Sequence, residues 1–169
     1  SFDFILLTTH IRWGESERSR AGELDLLAQY VERRAKSTSA IDKDLIVMGD
    51  FNIPSLKSDL FKRITQFGLR MPKALVGVHG SNLKKDKRYD QILHDPVFTK
   101  AFAEIGGVLD FFGDKWGKLY PEAASDDDEE FTFELSDHLP LWIQIKTDIS
   151  DEILEQKLNP PSVKDDRSR

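Results

Sequence analysis

The chain has 169 residues, 39% of them hydrophobic and 32% charged, with a formal net charge of −6, which fits one domain of ordinary size with a real core. It contains no cysteine, so disulfides and cysteine-ligated zinc or iron-sulfur centres are excluded. No apolar run approaches the ~20 residues of a membrane span, and the acidic balance argues against a general coat of polyanion, so any nucleic-acid contact should be local and assisted by cations.

The chain opens directly on Phe2 to His10, a strand-like run with no leader before it, which reads as an excised piece. With no cysteine and no basic-then-apolar start, the compartment stays open and the cytoplasm is slightly favoured. The run is expected to be buried along Ile5 to Leu7 and to deliver His10 to the strand's C-terminal end, where open α/β sheets place ligands. From Glu15 to about Thr38 the period becomes helical, with Leu24, Leu27, Ala28, Val31 and Ala35 on one face. Arg18, Arg20, Arg33 and Arg34 alternate with glutamates, which predicts a solvated, salt-bridged opposite face.

Asp44-Leu45-Ile46-Val47-Met48-Gly49-Asp50-Phe51-Asn52 organises the rest. Four apolar residues between polar ones are too few for a helix and suit a strand covered on both faces. Gly49 permits a sharp turn, and Asp50 and Asn52, two apart on extended backbone, can face one cavity. A strand ending in a purely local Asx-type turn is the competing reading. A second helix follows, with Leu56, Leu60, Ile64 and Phe67 at helical spacing, Ser55 as its N-cap and Gly68 as its stop. Ser81 to Arg88 is a polar loop with four basic residues, either a solvated turn or a phosphate contact. It leads into Tyr89-Asp90-Gln91-Ile92-Leu93, a strand with a carboxylate near its start.

Beyond Val97, Gly106-Gly107 separates an expected short apolar helix from a strand-like Val108 to Phe112. Ser125 to Glu130 is an acidic block, expected to be an exposed loop because it lacks the spaced ligands and glycine of a calcium loop. Phe131-Thr132-Phe133 reads as a strand, and Ser136-Asp137-His138-Leu139-Pro140 opens a final one, Leu141 to Ile145. Residues 1–148 form the expected domain, and 149–169 a helical or flexible tail that breaks at Pro160-Pro161.

His10, Asp50 with Asn52, Asp90, and Asp137 with His138 thus recur at intervals of about forty to fifty residues, and a sheet can bring them together. Their chemistry is complementary for phosphodiester cleavage. One carboxylate orients and deprotonates water, an imidazolium stabilises the phosphoryl oxygens or protonates the leaving group, and another carboxylate fixes the imidazole. There is no G-x-S-x-G elbow, Walker A loop or G-x-G-x-x-G turn to suggest another mechanism.

Thr9-His10, Gly49-Asp50-Phe51-Asn52, Tyr89-Asp90-Gln91-Ile92 and Ser136-Asp137-His138-Leu139-Pro140 together resemble the endonuclease/exonuclease/phosphatase superfamily, which includes DNase I. The resemblance covers roughly residues 4 to 146. It implies a DNase I-like four-layer α/β/β/α sandwich, of which this chain looks like the second half, one sheet plus its covering helices. The implied activity is divalent-metal-dependent phosphodiester hydrolysis with Mg²⁺ or Mn²⁺, most similar to the nuclease branch. Asp50 and Asn52 would hold the water, metal and phosphate; Asp90 would orient His138; Asp137 would assist the metal; and His10 would be the second histidine. The family's early Asn and principal Glu ligand have no counterpart here. The alternatives are therefore a phosphatase or lipid phosphodiesterase of the same superfamily, or an inactive fragment or binding module. Expected partners are a phosphodiester substrate, nucleic acid first, and either the missing first half of the domain or a second copy of the chain.

Overall fold

A computed structural model describes residues 3–14, 16–112, 118, 128–148 and 150–158, and the architecture is mixed α/β. The first sheet has the order β1-β2-β3, from β1 (Ile5–His10), β2 (Leu45–Asp50) and β3 (Asp90–His94). β1 and β2 run parallel, joined through α1 (Glu17–Lys36), whereas β3 is antiparallel to β2. A second sheet is the antiparallel pair β4 (Phe102–Val108) and β5 (Leu141–Ile145). The expected single sheet is thus divided into two small ones.

The apolar stripe of α1 forms as its 3.6-residue period dictates, burying Leu24, Ala28 and Val31. These pack with Leu45, Val47 and Leu93 on one face of the first sheet, and with Leu60 and Ile64 of α2 (Asp59–Thr65). The other face presents Ile46 and Ile92, which pack with Leu75, Phe102, Leu141, Ile143 and Ile145. Leu45, Ile46 and Val47 are all buried, so β2 is covered on both faces, as its unbroken apolar run requires. β1 is not: Leu6 is exposed, contrary to the burial expected along Ile5 to Leu7.

Several local expectations are corrected. The second helix begins later than its apolar spacing suggests, because Ser58 and not Ser55 is the N-cap, its hydroxyl accepting from the Phe61 N–H at 3.3 Å. Leu56 lies in the preceding turn. Strand β4 runs straight through Gly106 and Gly107, replacing the short helix expected before them. A Cβ on Gly106 would approach the Trp142 carbonyl oxygen to 2.8 Å, so this glycine marks close backbone approach and not an element boundary. Phe131 to Phe133 lie in α4 (Asp128–Glu134), not a strand. Alternation would put both phenylalanines on one face, but Phe131 is fully buried and Phe133 is 87% exposed. Asp128 to Glu130 of the acidic block start this helix, while Ser125 to Asp127 lie outside the described residues. The tail contains α5 (Ser150–Leu158); Ile149 and Pro160-Pro161 lie outside them too.

Arg20 departs furthest from its expected solvated face. It is buried, 6% exposed, with its guanidinium carbon 4.3 Å from the centroid of the Trp13 ring. Arg88 is likewise committed, donating to the carbonyls of Leu75, Val76 and Val78 at and just beyond the end of α3 (Lys73–Val76). Carbonyls at a helix end lack the full set of helical partners, and the guanidinium supplements them.

Two outcomes follow from this packing. Gly49 has φ +139°, and a Cβ there would overlap the backbone carbonyl of Thr9 on β1, so Gly49→Ala is expected to destabilise the fold by more than about 2 kcal/mol in a denaturant melt. Phe4, Leu6 and Trp142 are exposed and line a groove of about 260 Å³ with Met48, Ile92 and Phe102. The chain by itself is expected to self-associate through them, seen as a sedimentation coefficient that rises with concentration and that Leu6→Ser with Trp142→Ser flattens.

Candidate active site

Strand register assembles the centre of the site. His10 on β1 pairs with Asp50 on β2, and Asp50 pairs with Asp90 on β3, so three candidate site residues stand in a row across three neighbouring strands. The forty-residue intervals between them are the lengths of chain needed to leave one strand and return on the next. His10 Nε2 lies 3.5 Å from Asp50 Oδ2, although the imidazole is 75% exposed.

His138 arrives from a different part of the fold, just before β5. An isolated antiparallel bridge joins it to Asn82, and the Leu139 N–H donates to the Ser81 carbonyl at 2.6 Å. The Ser81 hydroxyl accepts from the Asp90 N–H at 3.2 Å, so one buried serine holds both the start of β3 and the His138 segment. Asn82 Oδ1 accepts from the N–H groups of Asp86 and Lys87, closing the loop beneath. Sequence reasoning passed over Ser81 and Asn82 because their only signal is turn-like composition.

The result is a contact between His138 Nδ1 and Asp90 Oδ2 of 2.8 Å. A carboxylate can only accept, so Nδ1 carries the proton and Nε2 is left for a ligand. The hydrogen bond to Asp90 raises the His138 pKa, working against the opposing effect of burial. Burial also pushes the Asp50 carboxyl up, opposed by the Asn52 N–H that Asp50 Oδ1 accepts at 2.8 Å. Ligand atoms of Asp50, Asp90 and His138 all lie within 4.8 Å of one another, a group able to hold a metal ion. Asp137 stands at its edge, 3.9 Å from His138 Nε2 and largely exposed.

Asn52 is placed differently from the reading that aligns it with Asp50 on extended backbone. Its φ is +52°, it is buried, and its side-chain amide donates to the Ile11 carbonyl at 2.6 Å. Asp50 and Asn52 therefore form the Asx-type turn of the competing local reading, and the Asn52 side chain is committed to Ile11. The amide ties the residues after β1 to the end of β2. In the basic loop, Lys85 is paired with Asp110 and Lys87 lies 3.6 Å from Asp86, which leaves Lys84 as its exposed cation without an ion pair among the described residues.

An aromatic contact that the sequence did not announce borders this group. Tyr89 stacks on His138 with centroids 5.6 Å apart and 23° between planes, and meets Trp13 edge to face at 5.6 Å. A cavity of about 340 Å³ opens beside Asp90 and His138, walled by Met48, Phe111, Leu135 and Leu141. Comparison with protein families and with curated proteins finds no match to the chain.

The His138–Asp90 contact has a measurable consequence. In an NMR titration the His138 ring is expected to lose its proton above the ordinary imidazole pKa, and Asp90→Asn is expected to bring that midpoint down. His94, whose pKa burial lowers, is expected to titrate below the ordinary value in both proteins. The sign for stability follows: the raised His138 pKa contributes stability that is full below the unfolded-state value and is lost as pH rises through the folded-state value.

Proposed function

We propose that the chain carries the water-activating residues of a divalent-metal-dependent phosphodiesterase, a nuclease of the DNase I-like kind. One observation carries this reading: Asp50, Asp90 and His138 converge within 4.8 Å, with the imidazole fixed by Asp90 and its Nε2 directed away from that bond. In the same reading residues 1–148 would be the second half of a four-layer α/β/β/α sandwich. The exposed Phe4, Leu6 and Trp142 support it, since such a sandwich packs a second sheet over that side.

The two partly buried carboxylates of the group fit a divalent cation, and hard carboxylate oxygens suit Mg²⁺ or Mn²⁺, which leaves the His138 imidazole free for proton donation. Asp50 and Asp90 would hold it, with Asp137 near enough to assist. When bound, such an ion supplies positive charge against the phosphate oxygens. The protein's own groups do the rest. Asp50, at the centre of the three-strand row, would be the base that takes a proton from water. His138, favoured in its protonated form by Asp90, donates from Nε2 to an oxygen on which charge develops. Asp90 holds the ring orientation and tautomer. His10, beside Asp50 at the exposed rim, is placed to meet the substrate. Asn52 shapes the turn that presents Asp50.

The test uses the longest natural chain that contains these residues, assayed on DNA, RNA and an aryl phosphodiester with Mg²⁺, with Mn²⁺ and in EDTA. Metal-dependent cleavage is expected, with His138→Ala lowering turnover about 10²-fold or more and Asp90→Asn somewhat less, while substrate affinity hardly changes. Absence of metal-dependent cleavage, or losses confined to affinity, would overturn the reading.

A further inference from the structure

We infer that Trp13 is a stacking platform for a nucleobase adjoining the phosphodiester held at the Asp50–Asp90–His138 group. This rests on the hydrolase reading for what the group holds, but the platform has its own geometry. Trp13 is 54% exposed and belongs to none of the three buried apolar clusters. An indole that served only to fill the core would be inside it.

The ring is nevertheless held firmly. The buried Arg20 guanidinium lies 4.3 Å from its centroid, and Arg20 Nη1 donates to the Trp13 carbonyl at 3.3 Å. One cation therefore fixes both the side chain and the backbone of Trp13. Two residues earlier, the Ile11 carbonyl is gripped by the Asn52 amide, and the Arg12 N–H donates to Glu23 at 3.1 Å. Just after Trp13, Gly14 turns the chain at φ +64°. An exposed aromatic whose motion is already restricted loses little entropy when a ligand stacks on it.

Its position supplies the ligand class. Trp13 meets Tyr89, and Tyr89 stacks on His138, each at 5.6 Å between centroids. The indole is thus two ring contacts of 5.6 Å each from the imidazole proposed to face the phosphate, close enough for the base of a nucleotide adjoining that phosphate to reach it. Arg12, exposed and adjacent in sequence, adds a cation for a neighbouring phosphate. A flat π-system beside a cation, along a line leading to a phosphate site, is how single-stranded nucleic acid is held without sequence preference.

The test measures binding, not cleavage. Fluorescence anisotropy in EDTA compares a short labelled single-stranded oligodeoxynucleotide with an abasic strand of the same length and charge. The protein is expected to bind the base-bearing strand about tenfold more tightly. Trp13→Ala is expected to abolish that preference and Trp13→Phe to keep most of it, with thermal melts establishing that both variants fold. No preference in the unsubstituted protein, a preference that survives Trp13→Ala, or an equal loss for both strands would overturn the platform. Base preference without metal-dependent cleavage in the assay above would sink the hydrolase reading and leave the platform standing. Cleavage without base preference would do the reverse.

Discussion

The close backbone approach of Gly49 to Thr9 is the constraint on which the site depends. These residues are register partners in the β1–β2 ladder, and the next pair along is His10 with Asp50. No residue with a Cβ can occupy Gly49 without pushing the strands apart, and a slip of one position would turn every following side chain to the opposite face. The same register continues through Asp50 to Asp90. Position along three strands is thereby converted into proximity of an imidazole and two carboxylates.

Around that row, the chain spends much of its charge on holding backbone. Arg88 satisfies the carbonyls at the end of α3, Arg20 pins the Trp13 segment, and Lys85 is paired with Asp110. A guanidinium suits such work because it offers several donors in a fixed plane and remains charged when buried. The consequence is electrostatic. The basic loop is largely engaged internally, which leaves Lys84 as its exposed cation without an ion pair among the described residues.

The two faces of the first sheet have different histories. One is sealed by α1 and α2, whose apolar residues pack with Leu45, Val47 and Leu93. The other is covered only in part by the β4–β5 ribbon, through contacts of Phe102, Leu141 and Ile143 with Ile46 and Ile92. The ribbon leaves Phe4, Leu6 and Trp142 in solvent, yet its entry segment is what carries His138 to Asp90. Site assembly and incomplete coverage thus share one structural element.

The sequence by itself determined what depends on short-range pattern. Four apolar residues at β2 required a strand buried on both sides, and the leucine and valine period of α1 required one covering face. The residue types at His10, Asp50, Asp90 and His138 were legible as a complementary set because acid, base and hydrogen-bonding capacity are properties of single side chains. Only tertiary structure decided which of these meet. The 2.8 Å contact of His138 with Asp90 spans 48 residues and depends on Ser81, whose sequence signal is that of any turn. Pattern also failed where a residue's role is set by a distant neighbour. Gly106 looked like a boundary until Trp142 lay beside it, Phe131 looked like a strand residue until its burial separated it from Phe133, and Arg20 looked solvated until Trp13 folded over it. Local periodicity carries information about which faces are apolar, but it carries none about what will cover them.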